Sequence, residues 1–172
     1  MINLRKLKLK DAEYMLEWMK DPAVNAFFNI NFAEYTQEKV LEFISESFND
    51  VNQHFAVVNE EDEYMGTISL KNISNVDKNA EYAVAFRSCA HGKGMAKEAT
   101  EKLLKYGFKT LGLNKIYLNV LMENIRARKF YDKMDFFQEG VFRKHILVNG
   151  KFQDLCWYSI LREDYEKNRC IF

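Results

Sequence analysis

Two glycines fall within three residues in His91-Gly92-Lys93-Gly94-Met95-Ala96. The stretch follows a strand-like run from Glu81 to Phe86 and opens a helical pattern that reaches Leu111. Glycine lets backbone N–H groups approach a ligand closely, and a helix N-terminus favours negative charge. The chemistry suited to this spacing is the holding of phosphate oxygens. A tight turn needs glycine too, so the pair alone leaves both readings open. G-x-G-x-x-G would need glycine where Lys97 stands, and G-x-x-x-x-G-K-[ST] is absent. An ordinary NTPase and a dinucleotide-binding dehydrogenase are therefore disfavoured. A phosphate-bearing cosubstrate on another fold remains.

Other reactive residue types narrow the field. His54, His91 and His145 lack ligand spacing, so no metal is expected. Cys89, Cys156 and Cys170 are odd in number and widely separated, which indicates neither a disulfide framework nor a zinc site and fits a reducing cytoplasm. Lys plus Arg and Asp plus Glu both number 25, so a nucleic-acid binder with a broad basic face is disfavoured. No signal peptide and no apolar run of membrane-spanning length is found, so no membrane partner is expected. With 172 residues, 48% hydrophobic content and one proline, residues 1–172 read as a single domain able to bury a core. Oligomeric state is left open, a homodimer included.

The elements that position these residues follow from periodicity. Ile2 to Leu9 reads as a strand, and Asp11 can cap a helix to Lys20 carrying Ala12, Met15, Leu16 and Met19 on one face. Asp21-Pro22 breaks it. A second helix is expected from Thr36 to about Phe48, burying Val40, Leu41, Ile44 and Phe48. Strands follow at His54–Asn59, Tyr64–Asn72 and Glu81–Phe86. Behind the glycine turn, Ala96, Ala99, Leu103 and Gly107 line a helix that Gly112 ends. Lys115–Val120 alternates as a strand, Asn124 to Met134 is helical, and Asn149-Gly150 marks a type I′ hairpin. The sum is an α+β fold, a mostly antiparallel sheet with helices on both faces.

Two separated motifs in this order resemble the GNAT superfamily of acetyl-CoA-dependent N-acetyltransferases. Their cofactor loop reads [RQ]-x-x-G-x-[GA], with His91 here in place of Arg or Gln. Their later segment, N-x-x-[AS]-x-x-[FL]-Y-x-K-x-G-F, is matched by Asn124, Ala127, Phe130, Tyr131, Lys133 and Phe136, with Asp135 in place of glycine. Glu139-Gly140, Arg143, Asn149-Gly150 and Asp154 look like the branch of ribosomal-protein N-terminal and spermidine acetyltransferases. The resemblance implies a three-layer fold around a mixed, mostly antiparallel sheet. It implies that backbone groups of Val84, Ala85 and Phe86 pair with pantetheine, that amides from Gly92 through Lys93, Gly94 and Met95 to Ala96 hold the pyrophosphate, and that a nearby strand amide polarises the thioester. Asn124 would orient the lower arm of acetyl-CoA, with Ala127 and Phe130 beside it.

Acetyl transfer needs a neutral amine and a protonated leaving thiolate. An alkyl amine has a pKa near ~10, so it must lose a proton, and Glu81 is the expected base, acting through water. A structural salt bridge is the other reading of Glu81. Tyr131 stands at the family's general-acid position and can protonate a thiolate whose acid has a pKa of about 8.5; a core tyrosine on an apolar helix face fits the same spacing. Arg126, Arg128 and Lys129 suit either the 3′-phosphate of coenzyme A or a solvated face.

The acceptor is a small-molecule amine, such as an amino sugar or polyamine, or a protein N-terminus. Glu34, Glu38, Glu42 and Glu46 recur every four residues, and like charges at i, i+4 cost a helix about 0.2–0.5 kcal/mol per pair. A polycation would offset that cost, although Lys39 sits within the stripe and acidic faces are commonly just solvated. The aromatic segment Asn25 to Tyr35 is expected near the acceptor site or in the core. A non-catalytic acetyl-CoA-binding module is the alternative to an enzyme.

Overall fold

The structure, a computed structural model, describes residues 1–28, 30 and 32–167. Cys170, and Asn29 and Asn31 within the aromatic segment, lie outside the described residues. Among the described residues, β1 Asn3–Lys6, β2 Gln53–Val58, β3 Tyr64–Ser74, β4 Asn79–Phe86, β5 Lys115–Leu121, β6 Phe137–Val148 and β7 Lys151–Leu161 form one sheet. The order is β1-β2-β3-β4-β5-β7-β6. Every pairing is antiparallel except β4 with β5. This is the mixed, mostly antiparallel sheet that the sequence predicts.

Period-two alternation assigns side chains to two cores. On one face Ile68, Leu70, Ala80, Tyr82, Ile116 and Leu118 pack against α4 Met95–Lys105, α5 Ile125–Lys133 and α6 Arg162–Lys167. On the other, Ala56, Val58 and Tyr64 pack against α1 Ala12–Lys20, α2 Pro22–Asn25 and α3 Gln37–Glu46. Leu103, Ile116 and Leu118 are at most 1% exposed, and each such side chain contributes ~1.5–3 kcal/mol by leaving water. Consecutive β4 residues show the alternation plainly: Val84 packs on the first core and Ala85 on the second. No helix among the described residues is long and apolar enough to cross a membrane.

Helix termini follow local hydrogen bonding. Thr36 caps α3, its hydroxyl accepting from the Lys39 N–H, and Val40 and Ile44 carry the buried stripe. Asp11 does not cap α1: its carboxylate accepts the Lys8 N–H at 2.8 Å and is held by Arg5 at 2.7 and 2.8 Å. The guanidinium is the stronger donor, and it draws the aspartate back toward β1. β1 ends at Lys6, short of the Leu9 that the sequence pattern suggests, and a 3-10 turn follows at Leu9–Asp11. Phe48 lies beyond α3, bridged to Gln53. The helix after the glycine turn changes to π-helical geometry over Tyr106–Thr110 before Gly112 ends it at φ 68°. Asn149 and Gly150, at φ 48° and 74°, join β6 to β7 as the type I′ signal requires.

Candidate active site

The site grows out of a divergence in the sheet. β4 and β5 pair only at Asn79↔Lys115, Ala80↔Ile116 and Glu81↔Tyr117. Beyond these, β4 keeps its register with β3 to Phe86, and β5 keeps its register with β7 to Leu121. The β5-facing backbone edge of residues 82–86, which includes Val84, Ala85 and Phe86, therefore has no strand partner. Such an edge is ready to accept an added extended chain.

The glycine turn lies at the end of that open edge. Ser88–Ala90 makes a 3-10 turn, and the chain passes His91 and Lys93 to enter α4 with Gly92 and Gly94 both at φ 75°. A Cβ added at either glycine would meet nothing within 4 Å. Backbone handedness, not crowding, selects glycine here, because an L-residue in this region costs about 1–2 kcal/mol. Gly94 is the N-cap of α4 and no side chain caps it. The first backbone bond of the helix runs from Glu98 N–H to Gly94 O at 3.2 Å. The N–H groups of Gly92, Lys93, Gly94, Met95 and Ala96 find no acceptor among the described residues. Five free amides at the positive end of a helix dipole suit an anion of pyrophosphate size. Thr100 fixes this end of α4 to the sheet: its hydroxyl donates to Ala96 O at 2.7 Å and lies 2.9 Å from the Tyr82 hydroxyl.

His91, the departure from Arg or Gln, adds no charge at neutral pH. Burial and then the Arg126 charge hold its imidazole below the usual histidine range, against a hydrogen bond to the Phe86 backbone. Arg126 thus flanks the loop. With Ile125, Lys129, Phe130 and Lys133 it lines an open recess of about 500 Å³. Arg128 leaves that basic face, reaching the Met122 carbonyl at 3.3 Å and the Tyr158 hydroxyl at 3.4 Å. Asn124 begins α5 as its cap, Oδ1 accepting from the Ala127 N–H at 3.1 Å.

Tyr131 stands on α5 beside the divergence. It is 8% exposed, with the rings of Tyr82, Phe136 and Tyr158 at 6.0, 5.8 and 5.9 Å. Burial raises its phenol above the usual tyrosine value. Its hydroxyl makes no hydrogen bond to a described residue, yet the only sealed side-chain polar atom without a partner among them is Trp157 Nε1. Glu81 lies on the opposite sheet face. Lys71 Nζ is 3.0 Å from its Oε1, and the Asn72 amide donates to Oε2 at 2.9 Å. Tyr131 and the glycine turn share one face of the sheet; Glu81 approaches from the other, with the split between them.

Sequence reasoning missed one residue at this junction. Arg87, 9% exposed, directly follows β4 and forks onto Glu17 of α1 at 3.0 and 2.8 Å, onto Glu63 at 2.8 Å and onto the Tyr64 carbonyl at 3.0 Å. Tyr14 covers it at 4.5 Å. An arginine between an apolar strand and a reactive loop is the signal that was available. The acidic stripe is solvent-exposed, and Lys39 Nζ donates to the Glu34 carbonyl at 3.3 Å. In the aromatic segment, Phe28 and Phe32 pack on Trp18, and Tyr35 on Phe32, so these rings build core. Among the described residues no group of three or more His, Cys, Asp or Glu is placed to hold a metal.

An open β4 edge thus runs toward an uncapped helix N-terminus, with the Tyr131 ring 6.0 Å from that of Tyr82 on the same strand. Comparison with known proteins names the family. Residues 2–136 match the acetyltransferase (GNAT) domain family. An uncharacterized N-acetyltransferase, p20, of Bacillus licheniformis is 31% identical over 95% of this chain and 94% of its own. A spermidine N(1)-acetyltransferase of Vibrio cholerae is 30% identical over 80% and 84%. The solved spermidine N-acetyltransferase from Vibrio cholerae in complex with CoA and spermine superposes with a TM-score of 0.88, covering 96% of this chain and 98% of its own at 24% identity. The chain belongs to the GNAT acetyltransferase family. It is an N-acetyltransferase, with acetyl-CoA as its acetyl donor.

Proposed function

We propose that this enzyme moves the acetyl group of acetyl-CoA directly onto a primary amine, with Tyr131 as general acid and Glu81 as water-mediated base. The observation that carries the reading is the unbonded Tyr131 hydroxyl beside the point where β4 leaves β5. The free backbone of Val84, Ala85 and Phe86 takes the pantetheine arm, and the amides from Gly92 to Ala96, with His91 beside them, take the pyrophosphate. Asn124, Ala127 and Phe130 flank the arm, and Arg126 and Lys129 meet the 3′-phosphate. Burial that raises Tyr131 raises a neighbouring thiolate's proton affinity as well, so the two stay matched for transfer. Lys71 and Asn72 fix the Glu81 carboxylate where a water can bridge it to the amine. A cytoplasmic setting fits this reading, with Cys89 and Cys156 as free thiols.

The test is thiol release from acetyl-CoA with a panel of amines, in parallel with Tyr131→Phe and Glu81→Gln. Tyr131→Phe should lower kcat by about 10²–10⁴-fold and leave the KM for acetyl-CoA unchanged. Because the phenol is raised above its usual value, the wild-type rate should climb with pH as amine and base deprotonate, with no descending limb below about pH 10. An alkaline fall with an apparent pKa near ~8.5, or an unaltered kcat in Tyr131→Phe, would remove the acid assignment. Equal pH profiles for Glu81→Gln and wild type would leave Glu81 as a salt-bridge partner alone.

A further inference from the structure

The sheet face that carries Glu81 is covered by α1 and α3 only over its first strands. Past β4 a recess of about 390 Å³ opens on that face, with Tyr117, Phe142 and Trp157 as its aromatic walls and Asn79, Lys115 and Glu139 at its rim. Small-molecule sites occupy about 300–1,000 Å³. Tyr117 is the register partner of Glu81, one strand or ~4.8 Å away. Glu81 is also close enough for its charge to add to burial in raising the Tyr117 phenol. The recess therefore adjoins the proposed base.

From these residues we infer that the recess seats the body of the acceptor, and that this acceptor is a hydroxylated ring amine of the amino-sugar class. The inference rests on the acetyl-transfer reading above and narrows its acceptor. The aromatic walls form a continuous surface: Trp157 lies 6.1 Å from Tyr117 and 5.4 Å from Phe142, centroid to centroid. Such faces stack on the apolar C–H side of a sugar ring. The rim carries both signs of hydrogen-bond chemistry. Asn79 can donate and accept, Lys115 donates, and Glu139 accepts. Hydroxyl groups, which do both, match that rim.

A linear polycation does not match it. Lys115 Nζ sits 2.6 Å from Glu139 Oε1, and the Ser159 hydroxyl donates to the same oxygen at 2.5 Å. The carboxylate is already neutralised, and the ammonium beside it repels a second cation. Trp157 Nε1, in the same wall, is sealed and has no hydrogen-bond partner among the described residues.

The experiment measures kcat/KM with amino-deoxyhexoses, free and as nucleoside diphosphate conjugates, against spermidine and a Ser-initiated peptide, in wild type and Phe142→Ala. Phe142 is 49% exposed, so the fold should survive the change. Saturation-transfer NMR with the same sugars reads binding independently of turnover. The expected result is a preference of at least about tenfold for a sugar, with Phe142→Ala raising the sugar KM about tenfold and leaving that of acetyl-CoA alone. Sugar binding that Phe142→Ala weakens, without turnover of any amine, would uphold the recess and overturn the catalytic assignments. Preference for spermidine or the peptide would overturn the sugar inference and leave the acetyltransferase intact. Absence of sugar binding would overturn the inference as well.

Discussion

Replacing Gly94 by alanine isolates what the loop's backbone conformation is worth. The added methyl group meets nothing within 4 Å, so no clash enters the account. What remains is the φ of 75°, and holding an L-residue there costs about 1–2 kcal/mol. That energy has two places to go. If the loop keeps its shape, the folded state carries the strain and Tm falls by about 2–8 °C, at about 2–4 °C per kcal/mol for a chain of this size. If the loop relaxes instead, stability is retained and the amides no longer converge. In the proposed binding mode acetyl-CoA must then rebuild the turn, which weakens its Kd by about 5–30-fold. The two losses should sum to the same 1–2 kcal/mol, and Gly92→Ala should behave alike. Calorimetric titration with acetyl-CoA and thermal unfolding of the same samples measure both parts. No change in either, or a loss of binding beyond about 100-fold with full stability, would refute the argument that handedness alone selects these glycines.

Two further tests address the scaffold. His54 is half-buried, its Nδ1 2.7 Å from the Ser69 hydroxyl; burial, and secondarily the Lys71 charge, hold its imidazole down to about 4. The unfolded chain binds that proton near ~6.5, so stability is complete above that value and is lost as pH falls from there toward 4, by about 2 kcal/mol after allowance for partial exposure. Urea titrations between pH 7 and 4 should show this loss, and its persistence in His54→Gln would assign it to other groups. Asp135 occupies φ 62° where the GNAT motif this segment resembles has glycine; Asp135→Gly should stabilise the fold by about 0.5–1 kcal/mol, relief of strain less the added chain entropy. A lowered Tm would contradict this.

Much of this arrangement was legible because each element carries a local rule. The alternation in β4, the Val40–Ile44 stripe, the Thr36 cap and the Asn149-Gly150 turn all depend on neighbours within a few residues. The glycine turn was legible for the same reason, since φ and helix position are local properties. Asp11 misled because its choice between the α1 cap and Arg5 is settled by where β1 lies. The recess beneath Trp157 depends on α1 and α3 ending their coverage at β4, which no spacing in the sequence encodes. Phe28, Phe32 and Tyr35 looked equally suited to ligand and to core; Trp18, brought alongside by α1, decided for core.

The three rungs between β4 and β5 have a mechanical consequence. They are the only ladder joining β1–β4 to β5–β7 among the described residues, and they lie at one end of both strands. The sheet is two panels joined by three rungs, and the open end of the seam is where the donor's arm is proposed to lie. A substrate that hydrogen-bonds along β4 there acts as a removable eighth strand, closing the seam while it is bound. At a donor concentration 100 times its Kd, that seam would gain about 2.7 kcal/mol of resistance to opening, which vanishes as the spent thiol departs.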